Sequence, residues 1–107
     1  MKKIIRKFIP VIELTNSLTE KERQNYLKTA NINLIKFLSD LFFNINSGTF
    51  KLERDILLKL KKYKKEIKLL SKRKTSLTAR RKILSKKGFF DATILPLIPE
   101  LIKIASS

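Results

Sequence analysis

The 107 residues include no Cys, no His and no Trp, and only two Gly and three Pro. Without Cys there is no disulfide framework, and without Cys and His together the usual zinc-ligand spacings cannot be written. A thiol nucleophile and an imidazole base are both missing. Gly48 and Gly88, alone and far apart, cannot form a glycine-rich loop that cradles a phosphate. The nine Asp and Glu are nowhere clustered. These absences predict a protein that is not an enzyme and that holds no metal or cofactor. They also fit a reduced, intracellular or particle-enclosed setting.

Long apolar runs are missing as well. In MKKIIRKFIPVIEL, Arg6 and Lys7 interrupt the apolar residues and Pro10 and Glu13 follow, so no secretory hydrophobic region develops. Near the other end, Asp91, Glu100 and Lys103 break the apolar stretch well short of the ~18 residues needed to cross a bilayer. Any contact with lipid is expected to lie along its surface.

Positive charge is what the chain has in excess: 25 Lys and Arg against nine acids, a net of +16. Between Lys51 and Lys87 there are 16 cations and three acids (Glu53, Asp55 and Glu66), a local net of +13. A surface built for solubility alone intersperses both signs and gains i,i+4 pairs. A segment so poor in acids selects a polyanion, because Lys and Arg that neutralise phosphates release condensed counterions. After Gly88 the chemistry reverses into the apolar FFDATILPLIPELIKIASS.

One small domain is all this length supports, and 43% hydrophobic residues are enough to fold it. The fold class is all-α: a bundle of three to four helices with an extended basic N-terminal arm over residues 1–16, a helical basic domain over 17–88, and a kinked amphipathic C-terminal tail over 89–107. Pro10 biases Ile9 away from helix, which predicts the extended arm. Ser17-Leu18-Thr19-Glu20 has the capping-box pattern and places the first helix start near Leu18. Asn31 and Asn33 predict a break near residue 31. Beyond it Leu34, Leu38, Leu41, Phe42 and Ile45 form one helical stripe, ended by Asn46-Ser47-Gly48. Thr49 is expected to cap a third, longest helix whose seam runs Leu52, Ile56, Leu60, Tyr63, Ile67 and Leu70. After the connector 71–76, Ser76 caps a short helix anchored by Leu77, Ile83 and Leu84 and stopped at Gly88. A basic helix, a turn and a second basic helix suggest helix-turn-helix, but the first is long for that motif and the second has no Asn or Gln to read adenine.

At 100° per residue the tail gathers Ile94, Leu95, Leu97, Ile98, Leu101, Ile102, Ile104 and Ala105 on one side. A kink or break is expected between Pro96 and Pro99, since an interior Pro costs ~3 kcal/mol in a continuous helix. Two readings of that apolar side stand together. It closes the core, or it presents Ile94, Leu97, Ile98, Leu101 and Ile102 to an anionic membrane surface or a capsid protein.

The order of features adds a resemblance. The basic SKRKTSLTARRKILSKKG followed at once by ILPLIPELIKIA resembles the adenoviral small core protein, known as protein X or mu, in which an Arg-rich region precedes a Leu/Ile/Pro segment. The stretch from Lys59 to Ala105 looks like the related small proteins of Maverick/Polinton elements and adintoviruses. The resemblance implies condensation or packaging of viral or transposon double-stranded DNA by the basic segment, in a virion core or a host nucleus. The chain departs from the pattern in having Phe89 after Gly88 where relatives carry a Gly-Gly pair, and in being Lys-rich and helically patterned. Phosphate contacts are assigned to Lys61, Lys62, Lys64, Lys65, Lys68, Lys72, Arg73, Lys74, Arg80, Arg81, Lys82, Lys86 and Lys87. The rival readings are a membrane-active peripheral protein and a structural adaptor that docks by its tail.

Overall fold

A computed structural model of the protein describes residues 2–48 and 50–106, which form helices and turns with no strand among them. The first helix, α1, runs Lys2–Ser17 with Pro10 inside it, where an extended arm is expected from the sequence. Tertiary packing overrides the proline. Ile5, Ile12 and Thr15 bury one face of α1, and Phe8 stacks on Phe37 with ring centroids 4.6 Å apart. Two fully buried isoleucines contribute roughly 1.5–3 kcal/mol each, which offsets the ~3 kcal/mol cost of the proline.

Because α1 continues through Ser17, the capping box moves two residues along. The Ser17 hydroxyl donates to the Leu14 carbonyl. Thr19 is the cap of α2 (Glu20–Lys28): its hydroxyl accepts from the Glu22 N–H at 3.2 Å, and the Glu22 carboxylate accepts from the Thr19 N–H at 3.0 Å. Ser-x-x-Glu and Thr-x-x-Glu overlap here, and the preceding helix decides between them. The break at residue 31 is present, with the Asn31 side chain capping α3 (Ile32–Asn46) through the Asn33 N–H. Leu34, Leu38, Leu41 and Phe42 are buried as their stripe predicts. The helix ends at Ser47 and Gly48, whose φ of 78° needs glycine.

The expected longest helix is two helices, α4 (Arg54–Lys61) and α5 (Lys64–Ser71), and Thr49 lies outside the described residues. Glu53 occupies the N-cap position of α4. Leu60, Ile67 and Leu70 of the seam are buried. The turn at Lys62 and Tyr63 lets one seam serve two neighbours, since α4 packs on α7 while α5 packs on α3. Tyr63 meets the Phe89 ring edge-on at 5.4 Å, at the point where the directions diverge.

Ser76 caps α6 (Leu77–Leu84) by accepting from the Ala79 N–H. The helix ends at Ser85 rather than at Gly88. Gly88, at φ 79°, instead turns the chain directly into α7 (Phe89–Thr93). A 3-10 turn over Leu95–Leu97 carries Pro96, and α8 (Ile98–Ser106) follows, so the interruption expected between the prolines is there. The bundle thus has more and shorter helices than the three to four expected.

The tail is core. Phe89, Ile94, Leu97, Leu101 and Ala105 are buried in one cluster with Ile5, Leu38 and Leu70, and α8 lies against α1. Ile94, Leu97 and Leu101, expected as possible membrane or partner contacts, therefore face inward, and Ile98 is half-buried against the same cluster. Ile102, 41% exposed, is the member of that group left at the surface. A chain of this length has little apolar surface to spare, and without α8 helix α1 would keep only its contact with α3.

Candidate nucleic-acid interface

The cations divide by residue type. Four of the six arginines direct their guanidinium groups at the carbonyls that end helices. Arg80 donates to Leu70, Lys72 and Thr75 at 3.1, 2.8 and 3.0 Å and closes the C-terminus of α5. Arg81 places two donors on the Ala30 carbonyl between α2 and α3, at 3.2 and 2.7 Å. Arg6 reaches Ala105 near the end of α8. Arg23, 6% exposed, donates to Thr15, Asn16 and Leu18 at the end of α1, pairs with Asp91, and lies over the Phe90 ring at 5.4 Å. The last carbonyls of a helix have no partner within it and carry partial negative charge, so a planar, forked, permanent cation suits them.

Arg80 and Arg81, expected at the phosphate surface, are thus held inside and half-buried. The reason is geometric: α6 packs on α5, α3 and α2, and the side of α6 bearing these two residues meets the ends of those helices. With Arg81 turned inward and no Asn or Gln on α6, a base-reading second helix would have only Thr78 and Lys82 as exposed polar side chains. Arg23 carried no signal in the sequence, being one cation among Glu20, Lys21 and Glu22; its partner Asp91 is 68 residues away.

The remaining expected contacts, Lys61, Lys62, Lys64, Lys65, Lys68, Lys72, Arg73, Lys74, Lys82, Lys86 and Lys87, are exposed. On α5 and its C-cap, Lys64, Lys65, Lys68 and Lys72 fall within an arc of about 100° at ~3.6 residues per turn, away from Ile67 and Leu70. Lys28, on α2, also borders the pocket lined by Arg81 and Lys82, a juxtaposition that sequence spacing could not reveal. Lys28, Lys82 and Lys86 rim a shallow, mostly apolar groove of about 620 Å³ floored by Leu69, Ala79 and Ile83. Lys59 and Lys62 border a separate depression beside Tyr63 and Asp91. Lys61 and Lys64 border a third, beside Leu57. The cations cover several shallow surfaces and converge on no single cleft.

Few carboxylates neutralise them. Among the described residues the ion pairs are Arg23 with Asp91 and Lys86 with Glu66, the latter at 3.1 Å. The Glu66 carboxyl is held below the usual carboxylate range by a hydrogen bond from its own backbone N–H and then by Lys86, against a smaller opposing effect of burial. No group of three or more acidic side chains that could hold a metal occurs among the described residues. No described helix is long and apolar enough to cross a membrane. No family model matches the chain, and neither does any curated protein or solved structure. The resemblance to the adenoviral core protein therefore rests on the sequence alone.

Proposed function

We propose that this protein binds double-stranded DNA without sequence preference and serves as a virion-core-like protein that condenses or packages the DNA of a virus or virus-derived element. The observation that carries the reading is the exposed array from Lys61 to Lys87, in which Lys86 is the one member paired with a carboxylate among the described residues. Unpaired lysines spread over several open surfaces suit phosphates at variable positions better than a small ligand, which needs an enclosing pocket. The packaging role is what the resemblance adds. Arg80 and Arg81 leave the contact set on this reading and become positioning residues, while Lys28 joins it. Insertion of the tail into a membrane has lost its basis, since exposing Ile94, Leu97 and Leu101 would require opening the core.

Fluorescence anisotropy with a short duplex tests the proposal. Affinity should fall with salt at a log-log slope of about −0.9 per phosphate neutralised, and unrelated duplexes should compete equally. Changing Lys64, Lys65 and Lys68 to Gln should weaken binding to all duplexes alike and flatten the slope, leaving the melting temperature near that of the parent. A salt-independent signal, or tighter binding to anionic vesicles than to duplex at the same charge concentration, would sink it.

A further inference from the structure

The lysines of α6 border a surface that phosphate contact does not explain. Ala79, Lys82 and Ile83 stand at i, i+3 and i+4 on α6, and Glu66 and Leu69 stand three apart on α5, so two packed helices form the sides of the apolar groove. Leu69 is 44% exposed there, because Ile67 and Leu70 take the buried face of α5. A second depression, of about 300 Å³, shares Lys28, Lys82 and Ser85 with the groove and prolongs the surface to Thr78 and Arg81.

A duplex would use only the edge of this surface. Phosphates can pair with Lys82 and Lys86, but a hydrated sugar–phosphate backbone gains nothing by covering Leu69 and Ile83. The floor asks for an apolar occupant. The rim asks for an acidic one: three lysines stand against the single acid Glu66, which already pairs with Lys86 at 3.1 Å. Lys28 and Lys82 make no ion pair among the described residues. A second copy of the chain would bring 25 cations and nine acids to that rim and be repelled. A flat bilayer would rest on the lysines above the recessed floor, and a small anionic ligand would lack enclosure. An amphipathic helix whose Leu or Ile stripe is flanked by Asp and Glu meets both demands, and a groove between two helices accepts such a stripe by its i, i+3, i+4 and i+7 anchors.

We infer that the groove between α5 and α6 docks an acidic amphipathic helix of another protein. Its apolar stripe covers Leu69, Ala79 and Ile83, and its carboxylates pair with Lys28 and Lys82. This goes beyond duplex binding and does not depend on it.

The probe is a fluorescent synthetic peptide of about 14 residues, four turns at ~3.6 residues per turn, with Leu along one face and Glu beside it. A scrambled peptide of the same composition, with its Leu spread around the helix, is the control for charge alone. Anisotropy with the full-length protein at about 0.15 M salt measures both, and duplex affinity is measured in parallel. The amphipathic peptide should bind at least about tenfold more tightly than the scrambled one, and the amide NMR signals of Leu69, Ala79 and Ile83 should shift most. Leu69→Gln should lose at least about fivefold of the peptide affinity while duplex affinity stays unchanged. Lys28→Glu, which leaves the floor intact, should weaken the same peptide and favour one whose Glu are replaced by Lys. Equal binding of the scrambled peptide would overturn the inference, as would shifts centred away from α5 and α6 or affinity indifferent to both substitutions. Tighter occupancy of the same amides by dodecanoate or by phosphatidylglycerol vesicles would overturn it in favour of an amphiphile or a membrane, and a concentration-dependent dimer abolished by Leu69→Gln would do so in favour of a second copy.

Discussion

Arg23 shows what a single side chain does in this fold. It joins the end of α1 to α7 by donating to three carbonyls and pairing with Asp91, and its plane lies over Phe90. Arg23→Ala would leave those carbonyls without their donor and should destabilise the protein by roughly 2–4 kcal/mol, measured by chemical denaturation. Arg23→Lys keeps the charge but loses the fork, and should recover less than half of that. Gly88, like Gly48, sits at a positive φ that favours glycine. An added Cβ would meet only the Tyr63 hydroxyl at 4.0 Å, so Gly88→Ala is opposed by its φ of 79° rather than by space. The expected loss is about 1–2 kcal/mol, and a neutral result in the same titration would mean that the turn relaxes.

Among the helices, the decisive pairing is α1 with α8. It brings the two ends of the chain together, with Arg6 and Ala105 hydrogen-bonded across 99 positions. Removing residues 89–107 takes Phe89, Phe90, Ile94, Leu97 and Leu101 out of the core, each worth about 1.5–3 kcal/mol when fully buried. That sum is as large as the 5–15 kcal/mol typical of a whole domain, before the loss of α1's contact with α8 is added. The truncated chain should lose its cooperative melting transition by circular dichroism and its dispersed amide proton spectrum. A truncation that melts like the parent would show the tail to be peripheral.

Taken whole, the molecule is a 32 × 26 × 23 Å body carrying a net charge of +16. Self-repulsion on this scale opposes compactness and is weakened by salt. The Debye length falls from ~30 Å at 0.01 M to ~8 Å at 0.15 M, that is, from the size of the molecule to a fraction of it. Melting temperature should therefore rise across this range in sodium chloride, while DNA affinity falls. A protein held together mainly by surface ion pairs would show the opposite trend in melting, so a scanning calorimetry series at the two salt concentrations separates the cases.

The sequence by itself determined the helical class, the stripe of α3, the break near residue 31, the cap at Ser76, and the exposure of the lysines, because periodicity, cap chemistry and the cost of burying a charge are local matters. It also carried the interruption at Pro96, where backbone geometry leaves little choice. Only tertiary structure decided the rest. Pro10 lies within a helix because α3 and α8 supply α1 with a face to bury against, and the seam from Leu52 to Leu70 bends at Tyr63 because α3 and α7 require different directions of it. Arg81 and Arg23 became staples because Ala30 and Asp91, distant in sequence, meet beside them, while Arg80 folds back on the end of the helix just before its own. Local rules say that a cation avoids apolar surroundings, but only the packed arrangement of the helices supplies the unpaired carbonyls that hold one there.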